Sequence, residues 1–325
     1  MKALQRHRFL LLAALAIVLL PMALRSGSLG TEVLVYGLAA LGCNLLLGYT
    51  GLLSFGQGIF FGLGSYAVGI LTTRAGLPIL PSVLLAIVTG AAAATLVGAF
   101  AIRQRGAYFV MLTLAFAQMF YFLAYSLPDL TGGDNGLLNV PMPSLGLLAR
   151  LGIPPQSPWQ FYAITAAVFL AVFWLLERVT ASVFGRTLLA IRENEARALA
   201  IGYDTRHFKL AAFAMSGAVT ALAGALHAMM TGIAPLSDIG YHTSEMILVM
   251  TVIGGTGNLF ASLLGAAFYV LMSDWLSTLW PRWLLLLGLA LIAVSLFLHQ
   301  GLWGLGDRLA GLLRGRRAPA PEHPT

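Results

Sequence analysis

Six polar side chains interrupt otherwise apolar stretches of the sequence: Ser54, Gln57, Ser65 and Tyr66 in one, Thr113 and Gln118 in another. Hydroxyls and carboxamides offer hydrogen bonds to a small solute, but none of them breaks a bond unaided. Groupings that would break bonds are missing from the sequence. There is no His-Glu-x-x-His spacing and no Gly-x-Ser-x-Gly turn, the patterns that place a zinc ion or a nucleophile. A phosphate cradle needs Gly-x-x-x-x-Gly-Lys-Ser/Thr, and neither lysine, Lys2 or Lys209, follows such a pattern. The chemistry expected is passage of a solute, with no metal, no cofactor and no catalytic residue in this chain. Any ATP and Mg²⁺ would belong to separate subunits. Each polar residue also has a plainer role open to it: Thr113 can bond a carbonyl one turn back, and Gln118 another helix.

The elements that must position these residues follow from composition. The chain is 59% hydrophobic and 10% charged, whereas soluble domains carry roughly 25% charged residues. Lipid is the matching solvent. Spans are expected at 9–28, 32–48, 53–72, 81–102, 107–127, 159–177, 210–230, 244–256, 259–277 and 283–299. The span 244–256 is short for a bilayer core of about 30 Å. With the N-terminus inside, fifteen of the 19 Lys and Arg fall in inner segments, and only Arg25, Arg74, Arg150 and Arg282 fall outside. That asymmetry is what orients membrane proteins. The first stretch, after Lys2, Arg6 and Arg8, reads as an uncleaved span. Cys43 is the only cysteine, so no disulfide framework is expected. Glu32, Glu177, Glu245 and Asp274 lie near predicted span ends. That placement argues against a proton relay, which needs ionisable groups in mid-membrane, and leaves a sodium-coupled carrier open.

Glycine marks where these spans meet. The stretch 48–66 reads GYTGLLSFGQGIFFGLGSY. Gly48 and Gly51 are expected to bracket a turn at the inner face. Ser54, Gly58 and Gly62 recur every four residues, as do Ser65 and Gly69, which lays small residues on one helix face for close packing. Gly217 with Ala221 and Ala225, and Gly224 beside them, predicts a second such face in 210–230. The same glycines could let the first helix bend or break near the midplane. Gly254-Gly255-Thr256-Gly257-Asn258-Leu259 echoes 48–53 and also precedes a span on the inner side. His227 and His242 are expected near the outer surface in structural roles.

One long inner loop, 178–209, carries Arg192, Glu193, Asn194, Glu195, Arg197 and Gly202. Asn194 suits a helix start, Glu195 a first turn and Gly202 a stop. The resulting two-turn helix is too short to stand alone in water, so it must rest on its own bundle, on lipid or on a partner.

This loop resembles the coupling loop of ABC-importer permeases. More narrowly, GYTGLLSFGQGIFFGLGSY at 48–66, RGAYFVMLTLAFAQ at 105–118, TGGDNGL at 131–137 and FGRTLLAIRENEARALAIGYDTRHFKLAAFAMSGAVTALAGAL at 184–226 resemble the LivM-type permeases of branched-chain amino-acid importers. The general loop pattern is Glu-Ala-Ala, three residues, then Gly. Here it departs, with Glu195-Ala196-Arg197 and Gly202 one place late. The resemblance implies a second, homologous permease subunit, two cytoplasmic ATPase subunits and a periplasmic solute-binding protein. The proline-rich outer loop 128–158 would receive the binding protein.

The expected architecture is all-α: a polytopic inner-membrane helix bundle of about ten transmembrane spans with cytoplasmic N- and C-termini. Its permease region covers 9–299, between a short N-terminus (1–8) and a basic tail (300–325). Translocation-path candidates are Ser54, Gln57, Ser65, Tyr66, Thr113 and Gln118, with packing at Gly58, Gly62, Gly69, Gly217 and Gly224. Relatives that carry urea, amides or aromatic acids remain alternatives for the solute. A channel or sodium-coupled carrier acting alone, a membrane-embedded enzyme and a purely structural protein remain alternatives for the class.

Overall fold

The computed structural model describes residues 12–17, 26–143, 157–279, 282, 284–289, 292 and 301–304. Helix α1 (Gly27–Asn44) continues into a π-helical turn, Leu45–Thr50. It is followed by α2 (Gln57–Thr73), α3 (Ile79–Ala101) and α4 (Ala107–Tyr125). A single helical turn (Pro128–Thr131) leads to strand β1 (Leu137–Leu138). Then come α5 (Pro158–Ala181), α6 (Val183–Glu193), α7 (Glu195–Ala200) and α8 (Thr205–Thr231). Strand β2 (Ile233–Ala234), α9 (Tyr241–Gly254) and α10 (Leu259–Leu279) complete the order.

Among the described residues, six stretches are long and apolar enough to cross a membrane: Gly27–Thr50, α3, α4, α5, α8 and α10. Helices α2 and α9 are equally apolar in character but shorter, at 17 and 14 residues. At about 1.5 Å per residue neither reaches 30 Å. The expected spans 9–28 and 283–299 fall mostly outside the described residues. Where the first can be judged, its end is displaced, because Gly27 already opens α1. The long loop expected at 178–209 is instead largely helical. Helix α5 runs on to Ala181 and α6 follows after Ser182, whose extended backbone turns the chain. The two short strands, Leu137 opposite Ala234 and Leu138 opposite Ile233, pair antiparallel. They depart from an all-α reading because two connections on one face meet edge to edge and satisfy each other's backbone.

Helices α1 and α8 form the centre. The membrane-length window of α1 and its π turn is 89% buried and that of α8 is 67%, against 28% for α3 and 22% for α4. Lipid tails are as apolar as leucine, so helices associate through close packing rather than by escaping water. Helix α8 packs against α2 with their backbones nearly touching. A Cβ added at Gly64 would overlap the Ala221 carbonyl, and one at Gly224 the Phe61 carbonyl. Gly217 similarly admits Ala94 and the Gly90 carbonyl of α3. On another side of α2, Gly58 and Gly62 lie against residues 239–244, and Gly69 against Leu137. Ser54 does not begin this face, because the helix starts only at Gln57.

Helix ends are closed locally. The Ser157 hydroxyl accepts from the Gln160 amide at 3.1 Å, with Pro158 at the first helical position of α5. Asp204 accepts from the amides of Arg206 and His207 at the start of α8. These are the side chains that satisfy otherwise orphaned amides. Helices α6 and α7 lie on one face of the bundle, the loop face, and β1 and β2 lie on the opposite face.

Candidate functional site

Residues 51–56, between the π turn and α2, form neither helix nor strand. Non-helical backbone inside an apolar bundle must find its partners within the protein or in water. Here side chains supply them. The Phe55 amide donates to Thr113 Oγ1 at 3.2 Å, the Gly56 amide to Ser54 Oγ at 3.1 Å, and the Gly58 amide to Ser244 Oγ at 2.7 Å. Gln57 is fully buried. Its amide nitrogen donates to Ser216 Oγ at 3.1 Å, and its carbonyl accepts from Thr220 Oγ1 at 2.8 Å. Ser216 donates onward to the Gly42 carbonyl at 2.7 Å. One network therefore joins α1, α2 and α8 beside the break.

Nearer the loop face, the two glycine turns noted in the sequence come together. Gly48 in the π turn lies against Gly257, and a Cβ there would come within 2.5 Å of the Gly257 nitrogen. Asn44, fully buried, holds the junction. Its amide nitrogen donates to the Asn258 carbonyl and to Ser262 Oγ, both at 2.8 Å, and its carbonyl accepts from the Gly257 amide at 3.0 Å. Arg192, in the last turn of α6, donates to the Gly48 carbonyl. Its stem passes Gly51, whose positive φ of 73° ends the π turn. Left-handed backbone of this kind favours glycine. π turns inside helices frequently sit at functional sites.

Helix α7 is capped as its sequence suggests. The Asn194 side chain accepts from the Arg197 amide at 3.0 Å, and Gly202 has φ 96°. Glu195 points back into the protein. It accepts from Lys209 Nζ at 2.5 Å and Thr205 Oγ1 at 3.1 Å, with Arg105 Nε at 3.6 Å. Burial pushes its carboxyl up, but the hydrogen bond and charge of Lys209, aided by Thr205 and Arg105, outweigh that and hold it below the usual carboxylate range. The outward side of the same segment is apolar: Leu199, Ile201 and Tyr203 are 48%, 70% and 40% exposed.

On the opposite side of the molecule Asp238 accepts from Ser65 Oγ at 2.8 Å and pairs with His227 Nδ1 at 3.2 Å. The His227 ring packs against Tyr36 and Phe61.

Residues 26–296 match the family described as branched-chain amino acid transport system / permease component. The chain belongs to that family. It is 27% identical over 318 residues to the high-affinity branched-chain amino acid transport system permease protein LivM of Salmonella typhimurium, covering 91% of this chain and 75% of the relative. The LivM of Escherichia coli K12 is also 27% identical, over 84% of this chain and 69% of that protein. The L-arabinose transport system permease protein AraH of E. coli K12 is 33% identical, but over only 49% of this chain and 45% of its own. No solved structure matches. The protein is thus a permease subunit of an ABC importer, a multi-pass protein of the inner membrane. Permeases of this class act with ATPase and solute-binding partners.

Within the permease, the sequence-predicted residues separate by role. Ser54, Gln57, Ser65 and Thr113 are buried and bonded within the chain, at the break or to Asp238. Thr113 also bonds the Val110 carbonyl at 2.9 Å, one turn back. Tyr66 is buried, and its hydroxyl has no hydrogen-bond partner among the described residues. Gln118 is half-buried on α4. Of the loop residues, Glu195 faces inward, Asn194 caps α7, and Arg192, Glu193 and Arg197 are exposed, Arg192 reaching the Gly48 carbonyl with its tip. Sequence reasoning missed Asn44, Ser244 and Asp238. An asparagine in the middle of an apolar run was the available signal for the first.

Proposed function

We propose that this permease carries branched-chain amino acids inward by alternating access, driven by ATP hydrolysis on two separate ATPase subunits that hold the nucleotide and Mg²⁺. A second, homologous permease completes the path, and a periplasmic binding protein delivers the solute. The loop face is cytoplasmic and the opposite face periplasmic. The chain crosses about ten times, with both termini inside: α2 and α9 count as crossings, and the 9–28 and 283–299 segments complete the number. The region 128–158 receives the binding protein, and 9–299 works as one transport unit. Ser54, Gln57, Ser65, Tyr66, Thr113 and Gln118 shape the path, chiefly by holding the broken helix that borders it.

The observation that carries the mechanism is the tie from α6 through Arg192 to the Gly48 turn. A partner that grips Leu199, Ile201 and Tyr203 moves α6 and α7, and Arg192 passes that movement to the break ahead of α2. Coexpression with the partner subunits and reconstitution in liposomes test this. Uptake of labelled leucine should require ATP and the binding protein. Ile201→Asp should abolish copurification of the ATPases while leaving the permease monodisperse. Leucine uptake without ATPase subunits, or retained copurification of Ile201→Asp, would overturn the mechanism. Urea and L-arabinose serve as competitors: inhibition by either in place of leucine would reassign the solute.

A further inference from the structure

Helices α1, α9 and α10 line an open-sided cavity of about 230 Å³ that the break and the α6–α7 lever leave unused. Its wall has two characters. Glu32, Tyr36, Tyr269, Ser273, Asp274 and Ser277 present oxygens, with the Ser277 hydroxyl spent on the Asp274 carbonyl, and Met246 and Met250 present flexible apolar surface. Glu32 lies five residues inside α1 and Asp274 five residues from the end of α10, so both carboxylates sit within helices rather than at their tips. Tyr269 is only 8% exposed, lines the cavity, and its hydroxyl has no hydrogen-bond partner among the described residues. Neither carboxylate has a hydrogen-bonded partner among those residues, and no Lys or Arg lines the cavity. His227, whose ring packs against Tyr36 at 5.9 Å, hydrogen-bonds Asp238 and also lies within electrostatic reach of Glu32.

Glu32 is half-buried and Asp274 is exposed at the edge of the cavity; carboxylates set among apolar helices carry a desolvation cost that a bound cation relieves. The occupant must be cationic to suit Glu32 and Asp274. A bare metal ion fits poorly, because hard cations want oxygens on all sides, and Met246 and Met250 close one side here. A primary ammonium on a short aliphatic chain suits both characters: its three donors reach oxygens, and its hydrocarbon lies on methionine, which adapts to irregular apolar shapes.

We infer that this cavity binds the ammonium end of an aliphatic amine or amino acid, with Glu32 and Asp274 as charge partners, Tyr269 as a hydrogen-bonding partner, and Met246 and Met250 against the hydrocarbon. The inference deepens the proposed transport function by giving the solute a resting place in the half of the bundle away from the loop face.

The test uses the full-length permease in detergent and three probes read by calorimetry: isopentylamine, L-leucine, and 4-methylpentanoate, which lacks the ammonium. Isopentylamine and leucine should bind and 4-methylpentanoate should not. Glu32→Gln and Asp274→Asn should each weaken isopentylamine at least tenfold, and Tyr269→Phe by a few fold. Met250→Trp, which fills the cavity, should remove binding. If one carboxylate variant fails to fold, the other, with Tyr269→Phe, decides the matter. No binding of the amine by the wild type, equal binding of the acid, or amine binding indifferent to these substitutions would overturn the site. ATP-driven leucine uptake by the reconstituted complex is measured separately. Uptake that persists while amine binding is absent removes the site and leaves the transport function; amine binding with no uptake does the reverse.

Discussion

The α2–α8 contact and the α6–α7 segment are held together by opposite means. In the first, two helices touch backbone to backbone, and Gly64 and Gly224 leave no room for even one added carbon. In the second, short helices sit on the bundle through a few polar ties: Arg192 to Gly48, and Glu195 to Lys209, Thr205 and Arg105. A close-packed interface has essentially one arrangement, because interiors are near crystal density. A handful of charge-assisted bonds can be broken and remade. By that physical contrast, rearrangement costs less in the loop-face segment than in the close-packed core.

The sharpest challenge to that contrast comes from the other close-packed side of α2, with Gly58→Leu. Its side chain would strike the Gly240 carbonyl and the Ser244 hydroxyl that caps Gly58. Overpacking costs about 1–3 kcal/mol or more, so the variant should lose most folded protein by gel filtration and most uptake. Recovery of normal amounts would mean that the α2 contact yields like the loop segment does. Asn44→Ala should come next. It strips the half-buried Gly257 amide and the buried Ser262 hydroxyl of their partner, at about 1–3 kcal/mol for an unsatisfied buried group. The expected result is a lower unfolding temperature in detergent; no change would show that the two glycine turns hold together without it.

Arg192→Ala should separate the two regions cleanly. Thermal stability should stay near wild type, while leucine transported per ATP hydrolysed falls several-fold. Undiminished coupling would remove Arg192 from the transmission route. The smallest effect concerns Glu195. Its carboxyl is held below the usual range, so its contribution is complete above the ordinary glutamate value, about pH 4.5, and is lost as pH falls through the depressed one. Hydrogen exchange across 195–204 should therefore be better protected in wild type than in Glu195→Gln by a constant margin between pH 6 and 8. That margin should shrink in acid. A margin that shrank near pH 7 would contradict the pairing with Lys209.

Much of the fold was legible because its signals are local. Apolar length named α3, α4, α5, α8 and α10, and the small-residue spacing around Gly58, Gly62, Gly217 and Gly224 marked faces that do pack closely. Asn194 and Gly202 marked the ends of α7 by chemistry that acts within a few residues. The candidate site was less legible. Glu195 looks outward-facing in a charged loop, but Lys209, fourteen positions later, turns it in. The likeness of 48–53 to 254–259 gave no sign that Gly48 and Gly257 would touch.

The amino-acid order alone determined the solvent, the main crossing segments, the orientation bias and the lack of a phosphate cradle, since each depends on composition or on neighbours along the chain. Tertiary structure decided where α2 breaks, what fills the bonds that break exposes, and which carboxylates are paired. Thr113, Ser216 and Ser244 come from three different helices to meet residues 55–58. In an apolar medium a backbone amide takes whichever oxygen folding brings within reach, and that is a property of the assembled bundle.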